Sequence, residues 1–586
     1  MRGREAGARL WTLGWALGVD WSPLRMDVLW CARPAAIPVK TIRYDVASGA
    51  LLALLVYVFV ANAWVVDDAY ITFRVVDNVL HGRGLVWNVG ERVQAYTHPL
   101  WMFIVAGFSF LTREYFLTSV AISFVLFVAS VSIAALHLRR IDAWRPALWI
   151  STILASKAVI DFSSSGLENA LSGFLASLFF SVLLLRRPSP TELTRTQVGC
   201  LFLIAALAFV NRQDTLLVYA PALIYVAATL WPARRSYWPV VILSMLPAAL
   251  WLAFSVFYYG FPLPNTAYAK LVSTNVPLID RAHHGAYYVM NSLRWDWVSF
   301  VLVATSLLVV ARQHRVAAIA AMAGVCLYLS YVVVDASIAT HMSGRFFSLP
   351  FFVAFLAMSA DIPARLVPVP ATAILLSVVL SPFSPVKANT RFYPEPMEYH
   401  NIIDTRRYVD DEGATLFTVL SNGGHPDHAW LRAGETFRNE TARIRVGAAA
   451  IAPLAVGFFG YAAGPDKYIV DVLGLTDPLL AHVTACNTGS IAEWTPGHFF
   501  RDIPDGYLAS LQLSVNLIQD PDLHAYYEKL NHVTRDPLFS VERLADIVRL
   551  NAGAYDMYLT RYNARVREKD WPTCRQHVLS LLGSRR

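Results

Sequence analysis

Charge is scarce in this chain. Asp, Glu, Lys and Arg make up 16% of its 586 residues, against 56% hydrophobic ones. With a mean hydropathy of +0.44, that balance excludes an ordinary soluble domain and points to a polytopic membrane protein. Cysteine is scarce too. There are five, with no CxxC pair and no Cys/His cluster. Cys31, Cys200 and Cys326 lie in the N-terminal tail or in apolar runs, where a thiol is usually a small core residue. Cys486 and Cys574 lie in the polar C-terminal part and are a disulfide candidate if that part faces an oxidising compartment. No internal repeat is visible, which argues against the repeat-built transporter folds. No nucleic-acid partner is expected.

Apolar length is what the chain has in plenty. Eleven runs approach the length of about 20 residues that a spanning helix needs. They lie near 47–66, 116–137, 146–161, 168–185, 197–211, 214–231, 239–259, 297–311, 316–334, 345–360 and 366–382. A shorter run, Pro99 to Leu111, reads as a juxtamembrane or re-entrant helix. Aromatic residues, at 13%, suit interfacial belts.

Basic charge orients the spans. If residues 1–45 form a cytoplasmic basic tail (Met26 being an alternative start), the inner loops hold Arg139, Arg140, Arg145, Arg186, Arg187, Arg195, Arg234, Arg235, Arg312, Arg315 and Arg365. Those 11 basic residues face only three acids, Asp142, Glu192 and Asp361, while the outer side of the membrane module holds 10 basic and 11 acidic residues. This is the positive-inside pattern. It fails if Pro99 to Leu111 also crosses, so the expectation is about 11 transmembrane helices with the C-terminus outside. The expected segments are a tail (1–45), a membrane module (46–385, with 67–115 as first outer loop) and a C-terminal extracytoplasmic α/β domain (386–586). In the last, "KYIVDVLGL" reads as a buried strand and "PDLHAYYEKL" as a helix start.

This topology puts the polar clusters on the outer side. "VVDDAYITFR" carries Asp67, Asp68, Tyr70 and Arg74, and "AYTHPLW" carries His98. "DFSSSGLEN" carries Glu168, "NRQD" Arg212, "PNTAYAK" Asn265 and Lys270, and "DASIATHMSGRFF" His341 and Arg345. A carboxylate beside an acceptor hydroxyl can take its proton, and two adjacent ones can bind a divalent cation through oxygen. No other cofactor is indicated. Arg212, Lys270 and Arg345 come from three separate loops and can converge on a phosphate. Structural readings stand beside these. Arg74 suits an interfacial snorkelling residue, Glu168 a dipole-favoured helix start, and Lys157 with Asp161 an i,i+4 ion pair.

The stretch from Asp67 to Trp101, with "SSGLEN", "NTAYAK", "GRFFSLP", "VDVLGLTDPLLA" and "PGHFFRDIPDGY", resembles GT-C membrane glycosyltransferases. It is most similar to the mycobacterial terminal (β-1,2) arabinofuranosyltransferase family and its bacterial relatives. The resemblance implies a polyprenyl-phosphate sugar donor used on the extracytoplasmic face of the bacterial plasma membrane. The acceptor it implies is a cell-envelope glycan or surface protein. It implies a catalytic Asp three residues before Tyr70, which is Asp67, with Asp68 as the adjacent acid. Lys270 and Arg345 match the basic positions that the resemblance implies near the donor phosphate, and Arg212 joins them as a candidate from its loop position. Tyr70, Arg74, His98, Glu168, Asn265 and His341 are candidates for substrate binding or support. The chain departs from the family pattern at Thr97-His98-Pro99, where relatives often have Thr-Ser-Pro, and at Arg212-Gln213-Asp214, where they often have Arg-Pro-Asp/Glu. A flippase of lipid-linked sugar and a non-catalytic envelope-assembly protein are the alternatives.

Overall fold

Apolar sequence in a membrane has to pair its backbone groups internally, and the apolar runs of this chain fold as helices. The computed structural model describes residues 39–185, 193–338, 341–387, 398–407, 413–447, 456–487, 495 and 497–583. Most of the expected basic tail, together with Arg186, Arg187 and Glu192, lies outside the described residues. The chain divides after Ala47, and Ser48–Arg586 forms a single unit.

Among the described residues, five helices are long and apolar enough to cross a membrane, or six if the bent pair Leu278–Trp295 and Trp297–Gln313 counts as one span. The five are Ile42–Asn62, Phe116–Arg139, Gln213–Tyr259, Val316–Val334 and Ala364–Lys387. The difference from eleven has local causes. The runs at 214–231 and 239–259 join through a short 3-10 turn at Trp231–Ala233. The run at 146–161 breaks at Ser156, whose hydroxyl caps the short helix Lys157–Phe162 by accepting from the Val159 N–H. The runs Pro99–Thr112, Asn169–Leu185 and Arg195–Asn211 are apolar helices of 10–17 residues.

Two elements behind the first span position the chemistry. "DDAYITFRVVDNVL" is a helix, Asp67–Leu80, with both acids in its first turn, where the helix dipole favours negative charge. Asp68 and Thr72 are i,i+4 and share one face. Pro99 opens the helix Pro99–Thr112 at its first position, where a missing N–H costs nothing. That sets His98 at its N-cap.

The C-terminal part packs into this frame. The short helix Gly457–Ala463 lies against Asp67–Leu80, and a Cβ on Gly457 would fall 1.9 Å from the Asp67 carbonyl oxygen. Only glycine permits that approach. Buried Arg74 donates to the carbonyls of Trp87 (2.8 Å), Lys467 (2.7 Å) and Gly460. Lys157 pairs with Asp161 and with Asp404 at 2.9 Å. The expected α/β character reduces, among the described residues, to two two-stranded pairs. One joins Ile444–Gly447 in parallel with Tyr468–Asp471, the strand expected in "KYIVDVLGL". Helices dominate the rest, including Pro521–Arg535, capped by Asp520, and Val541–Asn551, Asp556–Val566 and Trp571–Gly583. Cys486 and Cys574 are disulfide-bonded across 88 residues of sequence.

Candidate active site

The two adjacent acids do different things. Asp67 is buried, and its carboxylate accepts the backbone N–H groups of Phe458 (2.6 Å) and Gly457 (3.2 Å). Burial pushes its carboxyl up to about 7 despite the Phe458 N–H, and the charge on Asp68 adds to the rise. Asp68 is partly exposed and pairs with Arg345 at 3.3 Å.

Glu168 is the hub of the site. Its buried carboxylate meets Arg212 at 2.8 Å, Arg345 at 3.5 Å and His98 Nδ1 at 3.0 Å. Burial alone would raise its pKa. The guanidinium of Arg212, then that of Arg345, outweighs the burial and holds the carboxyl well below the usual range. Arg212 also forms a two-point pair with Asp214, at 2.8 and 3.0 Å. His98 Nε2 lies 2.8 Å from the Thr72 hydroxyl. One carboxylate from "SSGLEN" therefore orients three basic side chains that arrive from separate elements.

Asp68, His98, Arg212 and Arg345 open onto a cavity of about 260 Å³. Asp68, Thr72, His98, Arg212, Lys270 and Arg345 form its polar wall, and Leu263, Leu271, Phe346 and Leu475 its apolar one. Among the described residues no ion pair engages Lys270, and burial lowers its ammonium pKa to about 8. An anion entering the cavity meets an ammonium there that is held by no direct ion pair, with the Asp68 carboxylate acting on it only at longer range.

Other sequence candidates lie off the cavity. Tyr70 packs on Phe458, with ring centroids 4.4 Å apart. Arg74 spends its donors on carbonyls and stacks over Trp87 at 4.3 Å. Asn265 donates to the carbonyls of Gly474 (2.8 Å), Asp477 (3.0 Å) and Leu475 (3.2 Å), tying that loop to the membrane helices. His341 sits edge-on to His498 at 4.2 Å. Asp67 does not line the cavity: one residue before Asp68, it points about 100° away around the helix. Among the described residues no three His, Cys, Asp or Glu side chains are grouped as metal ligands.

Sequence reasoning missed Thr72, Tyr331 and Leu475, which also line the cavity. Reading "DDAYITFR" as a helix would have put Thr72 beside Asp68. Leu475 stands in the quoted motif "VDVLGLTDPLLA", but nothing local points it to the cavity, and no motif marks Tyr331; long-range packing brings both there.

A helical chain with apolar spans and a mixed acid–base cavity is the class that fold and site define. Comparison with protein-family models finds no match. The chain is similar to curated glycosyltransferases, in line with the resemblance read from its motifs. Terminal beta-(1->2)-arabinofuranosyltransferase of Mycobacterium tuberculosis is 29% identical over 269 residues, 43% of this chain and 42% of that protein. The protein of the same name from Corynebacterium glutamicum is 35% identical over 238 residues, 36% of this chain and 34% of that protein. The chain thus matches less than half the length of either relative. Among solved structures, ArnT from Cupriavidus metallidurans bound to undecaprenyl phosphate aligns with a TM-score of 0.45 and 11% identity, over 73% of this chain and 86% of that one.

Proposed function

We propose that this chain is a multi-pass bacterial membrane glycosyltransferase. It moves a sugar from a polyprenyl phosphate to a cell-envelope glycan or surface protein on the outer face, with the C-terminal part outside. D-arabinofuranose is the sugar that its relatives' names suggest. The observation that carries the reading is the convergence of Lys270, Arg345 and Arg212 with Asp68 on one cavity.

The chemistry follows from the pairing. A donor phosphate meets Lys270 and competes with Asp68 for Arg345, because both anions seek the same guanidinium. Capture of Arg345 by phosphate frees the Asp68 carboxylate at the cavity wall. Arg212 is already matched by Glu168 and Asp214 and acts mainly by holding Glu168. In the transfer, the bond between the anomeric carbon and the phosphate oxygen breaks, and the acceptor oxygen bonds to that carbon. With inversion, Asp68, the acid that lines the cavity, takes the acceptor proton. With retention, a carboxylate acts instead as nucleophile or as stabiliser of the oxocarbenium ion. Asp67 supports the turn that carries Asp68 from behind the cavity wall, held by the Gly457 and Phe458 N–H groups.

The test is sugar transfer from synthetic polyprenyl-phosphate donors by purified protein in nanodiscs. Wild type should transfer a pentose, while Asp68→Asn and Arg345→Gln should each lose most of kcat. Wild-type rates in both variants would remove this cavity from the reaction.

A further inference from the structure

We propose that the helix Val541–Asn551 is an interfacial helix whose exposed apolar stripe rests in the outer lipid surface. The proposal rests on the reading that Gln213–Tyr259 crosses a membrane.

The second half of that span is the helix Arg234–Tyr259. Along it, Leu243, Leu246, Leu250, Phe254 and Phe257 recur at steps of three and four residues, so they form one face. Leu250, in the middle, is 58% exposed, as a lipid-facing residue must be. The stripe continues beyond the end of the helix. The ring of Phe257 lies 5.6 Å from that of Phe539, and Phe539 is 79% exposed. Val541, Leu544 and Val548 follow on the next helix, again at steps of three and four, and all three are exposed. Among the described residues nothing buries this second stripe.

The junction is built to hold the two stripes in line. Arg543, fully buried on the opposite face of the helix, donates to the carbonyls of Phe257 (2.7 Å) and Tyr258 (2.9 Å) at the end of the span. The same guanidinium donates to Val533 (2.9 Å) and Leu538 (3.0 Å). Asn551 donates to the Gly260 carbonyl at 2.7 Å. Gly260 has φ +89°, and a Cβ there would fall 2.0 Å from Val533. Glycine therefore allows the chain to leave the span directly against the C-terminal helices. The last-turn carbonyls of a helix lack intrahelical partners, and here a buried side chain from Val541–Asn551 supplies donors to two of them.

A row of Phe, Val, Leu and Val on a water-facing surface is unfavourable, whereas the headgroup–acyl boundary accepts such a face. Glu542 and Arg549 are exposed beside the stripe and suit the aqueous edge of that boundary. The occupant we commit to is the lipid surface, because the stripe is continuous with a membrane-facing one. Anchored in this way, the C-terminal part that sends Leu475 into the cavity wall is held close to the lipid surface.

Photo-crosslinking tests this directly. p-Benzoylphenylalanine replaces Phe539 or Val548 in the full chain, reconstituted in nanodiscs of phosphatidylethanolamine and phosphatidylglycerol. The same label at Leu250 reports the membrane face, and at exposed Arg561, on Asp556–Val566, the aqueous side. All four positions are on the surface, so the fold tolerates the label. After irradiation, mass spectrometry should find lipid adducts at 539, 548 and 250, several-fold above the yield at 561. Adducts at 250 but none at 539 and 548 overturn the interfacial helix and leave the membrane reading intact. No adducts at 250 overturn both. Cross-links from 548 to a second copy of the chain assign the stripe to self-association and overturn the proposal, as does an equal lipid yield at 561.

Discussion

Replacing Asp67 with Asn should make the protein clearly more stable in alkali and little changed in mild acid, while lowering transfer. The carboxyl has an ordinary value of 3.8 in the unfolded chain and about 7 in the folded one. Between those values the folded state binds the extra proton, so folding stability falls as pH rises. The full cost is reached above about pH 7. A gap of about 3 pH units at about 1.4 kcal/mol each amounts to about 4 kcal/mol. Asn carries no such cost. It offers one acceptor oxygen to the two N–H groups of Gly457 and Phe458, and that shortfall costs about 1 kcal/mol. The variant should therefore be more stable by about 3 kcal/mol at pH 8.5, and within about 1 kcal/mol of wild type at pH 5. Thermal unfolding of the purified protein in detergent, followed by intrinsic fluorescence at both pH values, measures the difference. A Tm difference of the same size at pH 5 and pH 8.5 would refute the reasoning. A stability gain bought by lost activity is what a functional group held in an unfavourable environment leads one to expect.

Glu168→Gln should behave oppositely. Its carboxyl is held well below the usual range, so its stabilisation is complete above about pH 4.3 and lost only in acid. The variant should lose about 3 kcal/mol, the low end for a broken buried pair because Asp214 and Asp68 still serve the arginines, and the loss should be constant from pH 5.5 to 8.5 in the same melts. Lys270→Met should weaken binding of a polyprenyl phosphate about 10- to 100-fold, read by fluorescence titration, while raising Tm at neutral pH because the cost of burying the ammonium is removed. Wild-type affinity should decline as pH rises through about 8, where Lys270 loses its charge. Replacing both Cys486 and Cys574 with Ser removes a link across 88 residues. It should cost about 4 kcal/mol, seen as faster proteolysis within residues 456–583.

Much of the site was legible because its residues stand in compact motifs. Asp68, Glu168, Arg212, Lys270, Arg345 and His98 were each picked out from short polar stretches at the ends of apolar runs; five of them line one cavity, and Glu168 holds His98, Arg212 and Arg345 from behind it. Arg74, Tyr70 and Asn265 stand in equally conspicuous motifs and serve packing instead. A residue type in a motif says that a strong donor or acceptor is needed, but not whether a substrate or a backbone carbonyl will use it. The count of spans was less legible for a related reason. Composition marks an apolar run, but a capping hydroxyl such as Ser156 or a short turn such as Trp231–Ala233 decides whether it forms one helix, two, or part of a longer one.

The order of apolar runs, the basic residues in alternate loops and the acids at the end of the first span are properties of the chain alone. They follow from the cost of placing charge and unpaired backbone in hydrocarbon, which is paid residue by residue. Which of two adjacent acids faces the cavity was a tertiary decision. Neighbours on a helix are separated by about 100°. One turn therefore presents Asp68 to Arg345 and turns Asp67 toward the N–H groups of a helix nearly 400 residues further along. Only packing of that distant helix, through a glycine with no room for a Cβ, determines that Asp67 is buried and its carboxyl raised.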